Sequence, residues 1–231
     1  MNNGSQIYNA YPSAGALADS RQRVLRNTYW LLALSMIPTV LGAWVGVSTG
    51  IMAMMGNGLS LILFLAGAFG FMYAIEKTKE SSTGVVVLLG FTFFMGLMLS
   101  RMLAMVLGFS NGSSLIMMAF GGTAGVFVAM ASLASVIKRD LSNLNKFLFV
   151  GVILLLVAMV INMFVQSSAM MITLSVLAIG IFSAFLLVDI KRIIDGGETN
   201  YISATLAIYL DVYNIFQNLL ALLGIFGGER D

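Results

Sequence analysis

The sequence predicts an all-α integral membrane protein, a bundle of seven transmembrane helices. Its 231 residues are 59% hydrophobic and only 10% charged, whereas a soluble domain carries roughly a quarter charged residues. The mean hydropathy is +0.97. Seven apolar stretches approach the roughly 20 residues that a helix needs to cross the hydrocarbon core. They cover residues 28–50, 59–75, 84–109, 114–137, 146–166, 169–190 and 203–227.

The chain divides into two regions. Residues 1–26 are polar and rich in small side chains, which predicts a flexible cytoplasmic N-terminal tail. Residues 27–231 form the predicted seven-helix transmembrane domain. The first apolar run has about 22 residues and no small-residue cleavage site within reach, so we expect a retained first helix and not a signal peptide.

The basic residues predict how the helices are oriented. Lys and Arg total 12, and ten of them lie in the N-terminal tail and in the second, fourth and sixth loops. Basic loops stay on the cytoplasmic side, which predicts a cytoplasmic N-terminus. Seven full spans then place the C-terminus in the periplasm, whereas a re-entrant last segment would return it inside. The ten residues are Arg21, Arg23, Arg26, Lys77, Lys79, Lys138, Arg139, Lys146, Lys191 and Arg192.

The chain has no Cys and no His. This excludes disulfides, thiol nucleophiles, thiolate or imidazole metal ligands and a Ser-His-Asp relay. Any metal must be a hard cation bound by oxygen, and no tightly bound cofactor is expected. The basic residues lie in membrane loops, so we interpret them as topology signals and not as a nucleic-acid surface. The lipid bilayer is the expected partner.

Asp211 is the strongest candidate for a functional residue because charged groups inside a bilayer are costly. It lies about eight residues into the last span, roughly 12 Å from its cytoplasmic end. Asn214 and Asn218 follow at i+3 and i+7, which puts a polar stripe on one helical face. That stripe should face the bundle interior or a water-filled cavity. We therefore expect the last helix to lie at the centre of the bundle.

Asp189, near the cytoplasmic end of the sixth span, allows two interpretations. It can be a helix-end carboxylate that pairs with Lys191 and Arg192. Alternatively, the sixth and seventh spans are antiparallel neighbours that bring Asp189 against Asp211. Two carboxylates in a low-dielectric site tend to share one proton, which makes such a pair a pH sensor. Once deprotonated, the pair could move apart, admit water or bind a divalent cation.

Three other charged residues are candidates for the same machinery. Arg101 lies about 25 Å along the third span from its cytoplasmic end. We expect it to snorkel to the outer interface; the alternatives are a buried ion pair and a charged ring around an outer pore. Lys77 and Lys79 belong to a mixed-charge loop at the cytoplasmic mouth. That loop is either simply solvated or supplies a lysine that latches the aspartate pair.

Regularly spaced glycines predict close helix packing. Gly42, Gly46 and Gly50 recur every four residues on the first span, and Gly121 and Gly125 do so on the fourth. Small residues at this spacing let two helix backbones approach each other. A functional glycine hinge is the alternative interpretation.

Three segments carry a resemblance to a known family. They are residues 24–29, the loop at residues 196–202, and residues 209–216, where Tyr209, Leu210 and Asp211 are followed by Asn214 and Phe216. Together they resemble the Bax inhibitor-1 family, in particular its bacterial YccA-like branch. The similarity covers the chain from about residue 24 to its end.

The resemblance implies a fold and a function. Six helices would surround a central seventh in a bacterial inner membrane. Asp189 and Asp211 would form the pH sensor of a calcium leak, with calcium or protons as the permeant or bound ions. The family's arginine latch after the second helix has no arginine here, and Lys77 or Lys79 is the nearest basic residue. Ser100 and Arg101 also replace the Gly-Pro step expected in relatives.

The same branch is associated with the membrane-bound, ATP-dependent protease FtsH, as resistant substrates and modulators. The sequence therefore leads to a pH-sensitive calcium leak channel gated by the aspartate pair or, as the alternative, to a modulator or resistant substrate of FtsH. An intramembrane aspartyl protease would also use two aspartates, but it carries Gly-x-Gly-Asp. Here the contexts are Leu187-Val188-Asp189 and Tyr209-Leu210-Asp211, so we expect no enzymatic activity.

Overall fold

The computed structural model describes residues 14–229, which form eight helices and, within that range, no strand. Seven of the eight are long and apolar enough to cross a membrane, which confirms the predicted class and number of spans. The short helix α2 links the first two of them. The helices are α1 (Ala14–Thr49), α2 (Ile51–Met54), α3 (Asn57–Thr78), α4 (Ser82–Leu107), α5 (Gly112–Val136), α6 (Ser142–Val165), α7 (Ser168–Ile194) and α8 (Tyr201–Gly227).

The first helix begins earlier than the apolar pattern indicates. Residues 14–26 are helical and form its first turns, whereas the sequence predicted a flexible tail over residues 1–26; residues 1–13 lie outside the described residues. Ala, Leu, Arg and Gln, which favour helix, dominate this segment. In addition, Val24 and Leu25 pack against the hydrophobic core of the bundle.

Two of the spaced glycines bring α1 onto α4. A β-carbon at Gly42 would lie 2.1 Å from the carbonyl oxygen of Phe93, and one at Gly46 would lie 2.3 Å from Ser100 Oγ. The approach is reciprocal, because a β-carbon at Gly96 of α4 would fall 2.0 Å from a carbonyl oxygen of α1. Close helix packing at Gly42 and Gly46 is therefore confirmed.

The other spaced glycines do not pack in this way. Gly50 has a φ of 65° and separates α1 from α2, so it turns the chain in the left-handed region that glycine tolerates best. Gly121 and Gly125 have no atom within 4 Å of an added β-carbon. The prediction of a close helix contact at these two positions is wrong, because their side of α5 faces open space.

Helix α8 lies at the centre of the bundle, as predicted. It packs against α1, α3, α4, α5 and α7. Its buried side chains include Tyr209, at 1% exposure, and Ile208, Ile215 and Leu220, at 0%. Helix α6, in contrast, packs on α7 at the edge of the bundle and exposes most of its apolar surface. A helix surrounded by protein can carry polar groups that a lipid-facing helix cannot.

Candidate functional site

The central helix holds Asp211 away from solvent. Its residue exposure is 5%, and its Oδ2 has no hydrogen-bond partner among the described residues. Asn200 sets the start of this helix, because its side-chain oxygen accepts from the backbone N–H groups of Ile202 and Ser203. Asp211 then follows about 15 Å along the helix axis. A buried carboxyl with an unpartnered oxygen is expensive, which marks the position as a candidate site.

Asp189 of α7 lies opposite Asp211, and the two carboxyl groups are close enough to interact with each other. The sequence left two interpretations of Asp189 open, and this contact corresponds to the one in which Asp189 faces Asp211. A hydrogen bond between two carboxyls requires a proton on one of them, because an ionised carboxylate can only accept. The arrangement can therefore exist in a one-proton state, and losing that proton leaves two negative charges in contact.

The basic residues after Asp189 have other partners. Lys191, 7% exposed, binds the carboxylate of Asp195 one turn later. The Arg192 side chain donates to the carbonyl oxygen of Gly197 at 3.3 Å and lies 3.9 Å from Glu198 Oε2. The positive charge of Arg192 nevertheless acts on Asp189, and the negative charge of Glu198 opposes it. Arg192 is thus a cation whose charge acts on Asp189.

The α7–α8 loop fastens this end of the bundle. Gly196 has a φ of 82°, and the Arg21 side chain of α1 lies directly on it, with Nε 2.5 Å from where a β-carbon would be. Asn200 Nδ2 donates to the carbonyl oxygen of Lys79 at 2.9 Å and to Glu80 Oε1 at 3.1 Å. These contacts of the loop with α1 and with the α3–α4 turn could not be predicted from the sequence. The only signal was the loop's glycine-rich motif, which does not reveal its partners.

The candidate latch lysines are held by their own helix. Lys79 Nζ donates to Glu76 Oε1 at 2.6 Å, and this hydrogen bond raises the pKa of the Lys79 ammonium above its ordinary value. The Lys77 ammonium lies 5.6 Å from the centre of the Tyr73 ring. Within residues 14–229, neither lysine is hydrogen-bonded or ion-paired with an aspartate. The latch stays a prediction.

The asparagines of the polar stripe bond to their own helix. Asn214 Nδ2 donates to the carbonyl oxygen of Leu210, and Asn218 Nδ2 donates to that of Asn214, both at 2.8 Å. Asn218 is 8% exposed and Asn214 is half-buried, so both lie within the bundle. Each amide NH2 group uses one of its two donors in this way, so the second N–H and the side-chain oxygen are left for water, and the oxygen is the group that a cation could contact.

Arg101 lies apart from the aspartates, on α4. It is half-buried, and no salt bridge involves it in the part of the chain that the structure describes. The helix ends six residues later at Leu107, about 9 Å along the axis. A long arginine side chain can cover that distance to an interface, which favours snorkelling over a buried ion pair.

Two tyrosines hold the central helix in place. Tyr209 Oη lies 2.9 Å from Thr39 Oγ1 and 3.4 Å from the carbonyl oxygen of Thr92. Tyr213 Oη donates to the carbonyl oxygen of Met95 at 3.3 Å. Both belong to the segment that carries the resemblance, although the sequence showed no partners for them. They secure α8 against α1 and α4 on the side away from α7.

The oxygen ligands available for calcium are few. Among the described residues, no group of three or more acidic residues is close enough to hold a metal ion together. Asp189 and Asp211 supply four oxygens at most, whereas calcium takes six to eight. A cation held by this pair alone would keep several waters.

These features define an all-α, multi-pass membrane protein with a carboxyl pair at its central helix. Comparison with known proteins then identifies the family. The protein-family model described as "Inhibitor of apoptosis-promoting Bax1" matches residues 21–228. The chain therefore belongs to this Bax inhibitor-1 family.

Curated relatives cover nearly the whole chain. "Modulator of FtsH protease YccA" of Escherichia coli K12 is 38% identical over 89% of this chain and 91% of the relative. An uncharacterized membrane protein of Vibrio cholerae is 36% identical, over 90% of this chain and 91% of its own. An uncharacterized protein of Neisseria meningitidis serogroup B is 35% identical, over 91% and 94%. The similarity therefore extends through all the spans.

Proposed function

We propose that this protein is a pH-sensitive cation leak channel of the bacterial inner membrane, with Asp189 and Asp211 as its sensor and calcium as its ion. The observation that carries the proposal is that these two carboxyls face each other from neighbouring helices. The burial of Asp211, 5% exposed, adds to it. Few structural roles need two acidic groups facing each other inside a membrane.

The pair can couple protonation to movement. With one shared proton, a hydrogen bond joins α7 to α8. When that proton is lost, two negative charges repel each other in a low-dielectric site. This repulsion favours separation of the two carboxylates, entry of water or binding of a cation. Because α8 is central, a shift at Asp211 reaches the helices packed around it. The unbonded oxygens of Asn214 and Asn218 offer further polar contacts along α8.

A flux assay tests this function. Purified protein in liposomes should leak calcium at a rate that changes between pH 5 and pH 8. Asp211→Asn and Asp189→Asn keep the size of the side chain and remove its titration, so each should flatten the pH profile. Asp195→Asn is the matched control, because it removes a half-exposed carboxylate at the same end of α7. That carboxylate binds Lys191 and not Asp211. Identical profiles for all four proteins would reject the sensor.

A second candidate function is modulation of the protease FtsH, or resistance to it as a substrate. The similarity to the E. coli protein named as a modulator of FtsH supports it. So does the exposed helical extension at residues 18–23, which a protease could grip. The close packing of α1 on α4 would oppose extraction from the membrane. The two functions are compatible in one protein.

Truncation separates the two functions. Deleting residues 1–20 removes half of the exposed extension and spares Arg21, which packs on the α7–α8 loop. FtsH activity on a reporter substrate should then lose its dependence on this protein, while calcium flux in liposomes keeps its pH profile.

The proposed topology, with the N-terminus inside and the C-terminus in the periplasm, is tested by fusing reporters to both termini.

A further inference from the structure

A long apolar groove separates α1 from α5. Its volume is about 970 Å³, and parts of α4 and α8 also line it. On α1 it extends from Tyr29 to Val47, about 27 Å of helix axis. This length nearly equals the roughly 30 Å thickness of a bilayer's hydrocarbon core. The groove therefore runs across the membrane, where lipid is the surrounding solvent.

The groove offers an occupant almost no hydrogen bonds. Tyr209 Oη is bonded to Thr39, and Tyr213 Oη donates to α4. Thr123 Oγ1 donates to the carbonyl oxygen of Ala119 at 2.8 Å. The rest of the lining is mainly Leu, Val, Met, Phe and Ala. Since these hydroxyl groups have partners within the protein, the fitting occupant is itself apolar.

The two walls meet at one end of the groove. Tyr29 of α1 and Phe127 of α5 both line it, and their ring centres are 5.8 Å apart in an edge-to-face contact. A transmembrane helix is a rigid cylinder about 10 Å wide, and it could not lie deeply along the whole groove past this contact. A flexible acyl chain can pass over the rings and fill the remaining length. The shape favours lipid chains over a partner helix.

A positive charge stands at the same end. Arg26 is exposed and precedes Tyr29 by three residues and Ala33 by seven, a spacing that places all three on one face of α1. No salt bridge engages Arg26 within the described range. Arginine binds phosphate through paired N–H donors, and a free arginine at a membrane surface attracts anionic headgroups.

We propose that this groove binds the acyl chains of an anionic phospholipid from the leaflet at the Arg26 end, with its phosphate at Arg26. Bound there, the lipid contacts Tyr209 and Tyr213, on the side of α8 that packs toward α1 and α4. The bound lipid would thus pack against the central helix α8 on this side. The site is independent of the calcium and FtsH proposals, since it needs neither activity.

Blocking the groove tests the binding of the chains. Gly121 lines it with no atom within 4 Å of an added β-carbon, so Gly121→Trp should fill it without a clash. Gly70 on α3 is equally open but lies outside the groove, which makes Gly70→Trp the matched control. Native mass spectrometry with phosphatidylglycerol should show about tenfold weaker binding for Gly121→Trp, from the loss of two or more buried methylenes. Equal binding by the two variants would overturn the proposal.

Replacing the arginine tests the headgroup. Wild type should prefer phosphatidylglycerol to phosphatidylcholine with the same chains, and Arg26→Gln should abolish that preference while binding of phosphatidylcholine persists. Lys77→Gln is the control, because it removes another exposed basic residue, one that contacts the Tyr73 ring. A preference that survives Arg26→Gln, or disappears equally in Lys77→Gln, contradicts the assignment of the phosphate.

Photocrosslinking locates the lipid in the unmodified protein, so the result does not depend on whether a variant folds. Phosphatidylglycerol with a photoreactive group in its chain should label residues 29–47 of α1 and residues 116–128 of α5. Labelling confined to α3 and α6 would overturn the proposal. Crosslinking of two protein chains through α5 by a reagent with two reactive groups would also overturn it, because a second copy of the chain would then occupy the groove.

Discussion

Gly42 of α1 lies so close to Phe93 of α4 that a β-carbon on the glycine would be 2.1 Å from the phenylalanine carbonyl oxygen. Real atoms do not approach so closely, and the obstacle is backbone, which cannot rotate away. Any side chain at this position must push two transmembrane helices apart. The contact therefore depends on glycine at residue 42.

We expect Gly42→Ala to destabilise the protein by about 1–3 kcal/mol or more, the usual cost of overpacking. Gly125→Ala is the control: the same change in another transmembrane helix, with open space around it. It should be neutral or slightly stabilising, because alanine favours helix over glycine. Thermal unfolding in detergent measures both. A midpoint for Gly42→Ala no lower than that of the control would contradict the close contact.

Tyr209→Phe should loosen α8 from α1 and α4. The change removes the hydroxyl near Thr39 Oγ1 and the Thr92 carbonyl but keeps the buried ring. We expect a loss of about 0.5–1.5 kcal/mol in unfolding free energy, the net contribution of one hydrogen bond. Tyr73→Phe removes a hydroxyl from a tyrosine that is 67% exposed, and it should have almost no effect. Equal midpoints for the two variants would show that the Tyr209 hydroxyl contributes nothing.

Asn200→Ala should free the beginning of α8. Two backbone N–H groups lose their acceptor, and the loop loses its bonds to Lys79 and Glu80. Loss of such a cap costs about 0.5–2 kcal/mol. Hydrogen exchange should accelerate at residues 201–204 and in the α3–α4 turn. Asn143→Ala, an exposed position in the first turn of α6, is the control and should change neither segment. Unchanged exchange in the turn would mean that the loop is held in another way.

Asp140 should stabilise the start of α6 in a pH-dependent manner. Its pKa is lowered from the ordinary 3.8 because it accepts hydrogen bonds from the Ser142 hydroxyl and backbone N–H. A lowered carboxyl pKa adds stability above the unfolded value, and that stability disappears as the pH falls through the folded value. Asp140→Ala should therefore melt below wild type at pH 6, with the difference vanishing well below pH 3.8. A difference that persists in acid would indicate another cause.

Much of this architecture could be predicted from local features. A span is recognisable because about 20 apolar residues in succession cannot be soluble, and the structure has helices in all seven places. Asp211 is a candidate for the same reason, since a carboxyl inside an apolar run stands out in the sequence. The short loop that makes α7 and α8 antiparallel neighbours made the adjacency of Asp189 and Asp211 one of two interpretations that the sequence left open.

Other features could not be predicted, because they depend on which helices meet. Equal spacing made Gly42 and Gly121 look alike, yet one touches a neighbouring backbone and the other faces a groove. The helical turns at residues 14–26 persist because Val24 and Leu25 reach the core of the bundle. Arg21, counted only as a topology signal, packs on the α7–α8 loop.

By itself, the sequence determined that this chain is a seven-span helical membrane protein with carboxyls near its last two helices. Hydrophobicity and charge are properties of each segment and can be identified without knowing its neighbours. Only the tertiary structure decided that Asp189 and Asp211 face each other and that Lys77 and Lys79 are held by α3. It also decided that a groove lies between α1 and α5. These are contacts between distant residues, and they exist only once the helices have packed.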